Sequence, residues 1–95
     1  MEIPESIKIA GLDWKVVLDE HMGAEDKCFG QMRPVRQEIA IIAHAAEQRQ
    51  EETLLHEIIE AIKNHCCLEL DHQTLSTLSA QLHQVLKDNR LKFFD

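Results

Sequence analysis

The sequence has few of the residues that end helices and few cysteines. Its 95 residues include three glycines and two prolines, and neither type occurs between Ala43 and Asp95. The C-terminal half can therefore form helices that no Gly or Pro interrupts. Of the three cysteines two are adjacent, Cys66 and Cys67, and at least one cannot pair within the chain. We therefore expect no disulfide framework, and we expect the protein to work in a reduced compartment.

Positive charge is also scarce. The chain has ten Lys and Arg and seventeen Asp and Glu, which gives a net charge of −7. Without a basic stripe, nucleic acid is not expected as a partner. No apolar run approaches the roughly 18–20 residues that span a bilayer, and residues 1–5 lack the cationic and apolar parts of a signal peptide. We expect one domain, residues 1–95, that works in the cytoplasm without a membrane partner.

Strand signals dominate the chain before Ala43. Runs rich in β-branched residues predict strands at 7–9, 12–18 and 38–42, with a turn at Ala10-Gly11 and a polar loop at 19–27. Residues 28–33 are the candidate for a further strand, the third in the chain. Pro34 confines the third strand to an edge or a turn, and short connections favour antiparallel pairing. The candidates for an aromatic core or for capping it are Trp14, Phe29, Phe93 and Phe94.

A helical period replaces the strand pattern after Ala43 and predicts helices at about 47–66 and 72–88, the second with Asp71 as N-cap. Each helix has an apolar stripe that we expect to be buried: Leu54, Leu55, Ile58, Ile59, Ala61 and Ile62 in the first, and Leu75, Leu78, Leu82, Val85 and Leu86 in the second. The predicted fold is α+β, a small antiparallel sheet of three or four strands followed by two helices.

One segment of the first helix carries a pattern with chemical meaning. His56 and Glu60 are four residues apart, so they stack on one helix face with Cβ atoms roughly 5–6 Å apart, and Glu57 stands beside them. Helices with the pattern His-Glu-x-x-His present two metal ligands and a base in this way. A carboxylate binds Zn²⁺ at about 2.0–2.2 Å, close to the imidazole distance, so Glu60 can replace the second His. A solvated helix face produces the same pattern, and the spacing alone leaves both interpretations open.

The layout of nearly the whole chain resembles the small metallopeptidases with an HExxH motif that phages and prophages encode, relatives of the zincin superfamily. The resemblance is carried by residues 7–11, the helix segment 53–62 and the closing stretch 82–89. It implies zinc-dependent hydrolysis of a peptide or protein substrate inside the host cell, with Glu57 as general base. It also implies that an edge strand holds the peptide in the cleft.

The third metal ligand departs from that family. Such proteins often have His at the position of Glu60 and take a third ligand, often Glu, from the next helix, where this chain has Ser76. His72 lies one turn earlier. A set of His56, Glu60 and His72 would again combine two imidazoles with one carboxylate. Glu69 and Asp71 are the alternatives, and His72 as an exposed bystander is a further one.

The remaining histidines and cysteines are expected to lie outside the site. We expect Cys66 in the core and Cys67 near the helix end, and His83 about 16 Å along the second helix from His72. Two histidines are expected to be exposed in loops, His21 and His44. Three functions stay open: a zinc peptidase, a non-catalytic metal-binding domain, and a metal-free module that binds a protein through its acidic face or second helix. The sequence does not specify the substrate or the oligomeric state.

Overall fold

The computed structural model describes residues 3–22 and 28–90. Four strands precede two helices in the chain: β1 (Ser6–Ile9), β2 (Leu12–Asp19), β3 (Gly30–Arg33), β4 (Glu38–Ile42), α1 (Glu47–Cys66) and α2 (His72–Asn89). The bounds of β4 and α1 coincide with those predicted from the sequence, and the others differ only at their ends. The predicted α+β fold is confirmed.

The four strands form one sheet in the order β1-β2-β4-β3. β1 pairs antiparallel with β2 through the two-residue turn Ala10-Gly11, in which both residues have positive φ, as a type I′ hairpin requires. β3 and β4 are also antiparallel, but β2 and β4 are parallel neighbours, so the sheet is mixed and the prediction of antiparallel pairing is wrong for this pair. The segment between β2 and β4 includes β3 and is long enough for a parallel return. β3 lies at the edge, as Pro34 indicated.

The hydrophobic core lies between the sheet and α1, and α1 in turn separates the sheet from α2. Its buried members are Ile9, Trp14, Val16, Ile39, Ile41, Leu54 and Ala61. The core position of Trp14 is therefore confirmed, whereas a core position for Phe29 is wrong because this residue is 47% exposed. Phe93 and Phe94 lie outside the described residues.

The position of α1 as a middle layer changes which of its residues are buried. Leu54 and Ala61 of its apolar stripe are buried, but Ile62 is exposed. Polar residues on its other faces are buried instead: Glu51, Thr53 and Glu57. The predicted core position of Cys66 is wrong, because it is exposed in the last turn, next to Cys67 at the C-cap.

The second helix is far less buried than its pattern predicts. Asp71 is the N-cap, as expected, and its carboxylate accepts a hydrogen bond of 2.7 Å from the Thr74 amide. The prediction of a buried stripe is wrong for Leu78, Leu82 and Val85, which are all exposed. The physical reason is that α2 packs on α1 alone, with Leu75 and Ser79 as its only buried residues within the described part of the chain. Neither described helix is apolar enough over a sufficient length to cross a membrane.

A buried carboxylate of α1 binds the C-terminal half of α2. Glu51 is 1% exposed, and it lies 2.9 Å from His83 Nε2 and 2.8 Å from Lys87 Nζ. The hydrogen bond from Lys87 holds the pKa of Glu51 at about 2, against the opposing effect of burial, and His83 acts in the same direction as Lys87. Glu51 therefore remains ionised and binds both side chains of α2.

Candidate metal centre

Three side chains from two helices converge where α1 lies beside the start of α2. His56 and Glu60 lie one turn apart on α1, and His72 is the first residue of α2. Their candidate ligand atoms all lie within 4.8 Å of one another, and the two imidazole rings have centroids 5.6 Å apart. This group can hold a metal ion. Among residues 3–22 and 28–90 no other group of three such side chains meets this way, so neither Glu69 nor Asp71 replaces His72.

The turn between the helices brings His72 to the site. α1 ends at Cys66 and is capped by Cys67, which has φ 54° and whose amide hydrogen-bonds back into the last turn. The chain then needs only residues 68–71 to reach the start of α2, where the Asp71 cap fixes the first turn. The short turn makes the helices neighbours, and it places the first residue of α2 beside the face of α1 that carries His56.

The donor set suits a divalent metal ion. Two imidazoles and one carboxylate form a common ligand set of catalytic zinc. Burial lowers the pKa of His56, with a smaller lowering from His72, although the charge of Glu60 acts in the opposite direction. His56 is therefore held toward the neutral form, which has the lone pair that a metal requires. His72 is exposed and the other two are half-buried, so the group can be reached from solvent.

Ser79, a residue that nothing in the sequence selected, lies in contact with His56. Its hydroxyl is fully buried, donates a hydrogen bond of 3.0 Å to the carbonyl of Ser76 and lies 3.4 Å from His56 Nδ1. Because its proton is already donated, the Ser79 oxygen is suited to accept from Nδ1–H. That tautomer leaves the lone pair of His56 on Nε2, and such a partner for the second nitrogen is typical of metal-binding histidines.

Glu57 lies on the side of α1 that faces the edge strand. Its side chain is only 8% exposed, and a Cβ added to Gly30 of β3 would lie 3.1 Å from its Oε2. Burial raises the pKa of Glu57 to about 7, and the nearby charge of Glu60 adds to the rise. A carboxylate with this pKa can take up and release a proton near neutrality, which is the property of a general base.

His56, Glu57 and His72 line a cleft of about 510 Å³ between β3 and the two helices, whereas Glu60 lies outside its lining. At one end the guanidinium of Arg49 stacks over the ring of Phe29 at 4.8 Å and pairs with Glu52 at 3.4 Å. The Cys28 thiol donates to the Gly30 carbonyl at 2.7 Å, beside the same space. The sequence did not select Arg49, Glu52 or Gly30 for the site, although a glycine inside a strand often marks a close approach.

The other candidate side chains lie elsewhere. His83 is bound to Glu51, away from His72, as its distance along α2 predicted. Four more residues are exposed and belong to no candidate metal group in the described part of the chain: His21, His44, Cys66 and Cys67. No family model, curated protein or solved structure matches this chain.

Proposed function

We propose that the protein is a zinc-dependent peptidase in which His56, Glu60 and His72 hold the metal and Glu57 is the general base. The observation that carries the proposal is the convergence of those three donors at the edge of a cleft that is lined by His56, His72 and a buried glutamate whose pKa is raised to about 7. When bound there, Zn²⁺ would supply a Lewis acid that polarises a carbonyl oxygen and lowers the pKa of water.

Glu57 has the environment that the proton transfers need. As a carboxylate it accepts the proton of the water that attacks the peptide carbonyl, and as the neutral acid it passes this proton to the leaving amine. A cation held by the neighbouring residues would favour its ionised form, which is the form that accepts a proton. In the proposed reaction Glu57 is not a ligand.

The edge strand supports a peptide as the substrate. Gly30 and Met32 occupy positions opposite Ile41 and Ile39, and the Ile42 amide donates to the Phe29 carbonyl. Because hydrogen-bonded and non-hydrogen-bonded pairs alternate in an antiparallel ladder, the main-chain groups of Gly30 and Met32 point away from β4. An extended peptide can pair with this edge of β3 in place of the contact between the Cys28 thiol and the Gly30 carbonyl, and beside Gly30 it would pass close to Glu57.

The decisive experiment replaces Glu57 without removing a proposed ligand. We expect Glu57→Gln to keep the zinc content of the wild type and to lower cleavage of a peptide library by about 10²–10⁴-fold, the usual contribution of a general base. Metal analysis and mass spectrometry of the products measure the two effects. The matched control is Glu52→Gln, which removes another carboxylate of the same cleft and should retain most of the activity.

The outcomes separate the proposal from its main alternative. Wild-type protein that binds no zinc would refute the metal site, and full cleavage by zinc-loaded Glu57→Gln would refute the role of Glu57. Zinc binding without any cleavage would support a structural metal site instead. The thin packing of α2 on α1 favours that second candidate, because an ion bound by His56, Glu60 and His72 would join the two helices.

Both candidates predict stabilisation by zinc. At a free concentration 100 times the dissociation constant, one site adds about 2.7 kcal/mol, and this would raise the Tm of a domain of this size by roughly 10–20 °C. We expect the shift in thermal melts of the wild type and its loss in His72→Ala. His21→Ala, which removes an exposed histidine outside the site, is the control and should retain it.

A further inference from the structure

The exposed face of α2 has a regular apolar pattern. Leu78, Leu82 and Val85, called here the outer stripe, are 49%, 37% and 40% exposed. With the buried Leu75 they are spaced by three, four and three residues. This alternation gives a period of about 3.5 residues, which is the spacing at which one helix packs along another in a left-handed coiled coil.

The surroundings of the outer stripe are unusual for this acidic chain. No Asp, Glu, Lys or Arg occurs between residues 73 and 86, although 28% of all residues are charged and the net charge is −7. Two copies of so acidic a protein repel each other over most of their surface. This repulsion is weakest at a neutral apolar face. The same face disfavours a basic partner, because it has no acidic residue that could pair with one.

No described element of the same chain covers the outer stripe. α2 packs on α1 alone, through the neighbouring face that carries Leu75, Ser79 and His83. The stripe therefore lies beside this contact, on the neighbouring face of α2. A partner helix could cover it without displacing α1 or closing the candidate metal centre.

We propose that two copies of this chain associate through the outer stripe, with their α2 helices antiparallel and Leu82 near the two-fold axis. An antiparallel pair brings Leu78 of one copy opposite Val85 of the other. A parallel pair would bring the two Asp71 carboxylates together, whereas antiparallel helices also oppose their dipoles favourably.

The size of α2 indicates a reversible dimer. Its 18 residues span about 27 Å at 1.5 Å per residue, and each copy contributes the three side chains of the outer stripe to the centre of the contact. Such a surface is small compared with permanent dimers, which bury more than about 2,000 Å². We therefore expect the monomer and the dimer to exchange with protein concentration.

Sedimentation equilibrium over a wide concentration range, with a reducing agent to exclude disulfides through the free cysteines, tests the proposal. The wild type should approach twice the mass of the chain. Leu82→Lys should weaken dimerisation at least about tenfold, as expected for a charge at an interface centre. The control is Val35→Lys, which adds the same charge at a side chain that is 99% exposed in the β3–β4 turn, and it should dimerise like the wild type.

Mixing two variants tests the antiparallel arrangement of the helices. It also shows that the variants are folded, because only folded chains can form a dimer when they are mixed. Chains with Leu82→Lys and Leu82→Glu should dimerise when mixed, because their opposite charges meet at the axis. The corresponding pair at Leu78 should not, and recovery with that pair would overturn the antiparallel arrangement. A wild type that is monomeric at every concentration would overturn the proposal. If deletion of residues 91–95 then allowed dimers to form, these residues would be the occupant of the stripe.

Discussion

Replacement of Gly30 by alanine tests the close approach of the edge strand to α1, on which the candidate site depends. An added Cβ would lie 2.5 Å from Thr53 Cγ2 and 3.0 Å from Glu57 Cγ. Favourable carbon contacts are about 3.5–4.0 Å long, so the first contact is too short by at least about 1 Å. Thr53 is 6% exposed and β-branched, and its methyl group has little freedom to move away.

Two opposing effects decide how much Gly30→Ala changes the free energy of unfolding. Gly30 does not have a positive φ, so alanine would by itself gain about 0.4–1 kcal/mol by restricting the unfolded chain. Overpacking of a well-filled interior costs about 1–3 kcal/mol. We expect the overlap to dominate and Gly30→Ala to lower the free energy of unfolding by about 1–2 kcal/mol, or the Tm by roughly 4–16 °C.

Thr53→Ser gives the prediction a matched control, since it removes only the methyl group that the new Cβ would strike. Alone it should cost about 0.8 kcal/mol for one buried carbon. Combined with Gly30→Ala it should cost at least about 1 kcal/mol less than the sum of the single changes, because the alanine methyl occupies the vacated space. Urea unfolding followed by the fluorescence of the single, buried Trp14 measures all three variants. A Gly30→Ala protein as stable as the wild type, or strictly additive effects, would refute the reasoning.

Two further predictions concern buried polar contacts. Because the pKa of Glu51 is held at about 2, below its ordinary 4.5, the bonds to Lys87 and His83 stabilise the fold above pH 4.5 and are lost as pH falls from 4.5 toward 2. At about 1.36 kcal/mol per pKa unit, the difference between 4.5 and about 2 limits the loss to about 3.4 kcal/mol, and water around Lys87 reduces it further. Urea unfolding should show this loss of stability at low pH in the wild type and not in Glu51→Gln. If the stability of both proteins depended on pH in the same way, the prediction would be contradicted. Ser79→Ala should weaken zinc binding about 10–100-fold in competition with a chelator, and unchanged affinity would show that Ser79 does not orient His56.

The candidate site was partly predictable because one of its components is local. A spacing of four residues on a helix determines that His56 and Glu60 share a face, wherever the helix lies. His72 depends in addition on the turn at residues 68–71 and on the direction in which α2 leaves it. The sequence left it beside Glu69 and Asp71 as alternatives, and the convergence of the three donors distinguishes it from them.

The acid–base property of Glu57 required the tertiary structure. In the sequence it is one carboxylate among several on a polar helix face. Its raised pKa comes mainly from burial, and Gly30, which lies against it, belongs to a strand 27 residues away in the sequence. Ser79 is similar, because nothing in the pattern of α2 distinguishes it from the other small polar residues of that helix.

The sequence by itself determined the kinds of elements, most of their bounds, the N-cap at Asp71 and the edge position of β3, since periodicity, capping and proline geometry act over a few residues. Only the tertiary structure decided that β2 and β4 run parallel, that α1 is covered on two sides, and that the outer stripe of α2 is exposed. The reason is that an apolar pattern shows which face of an element is suited to burial. Which faces are covered depends on how distant segments pack.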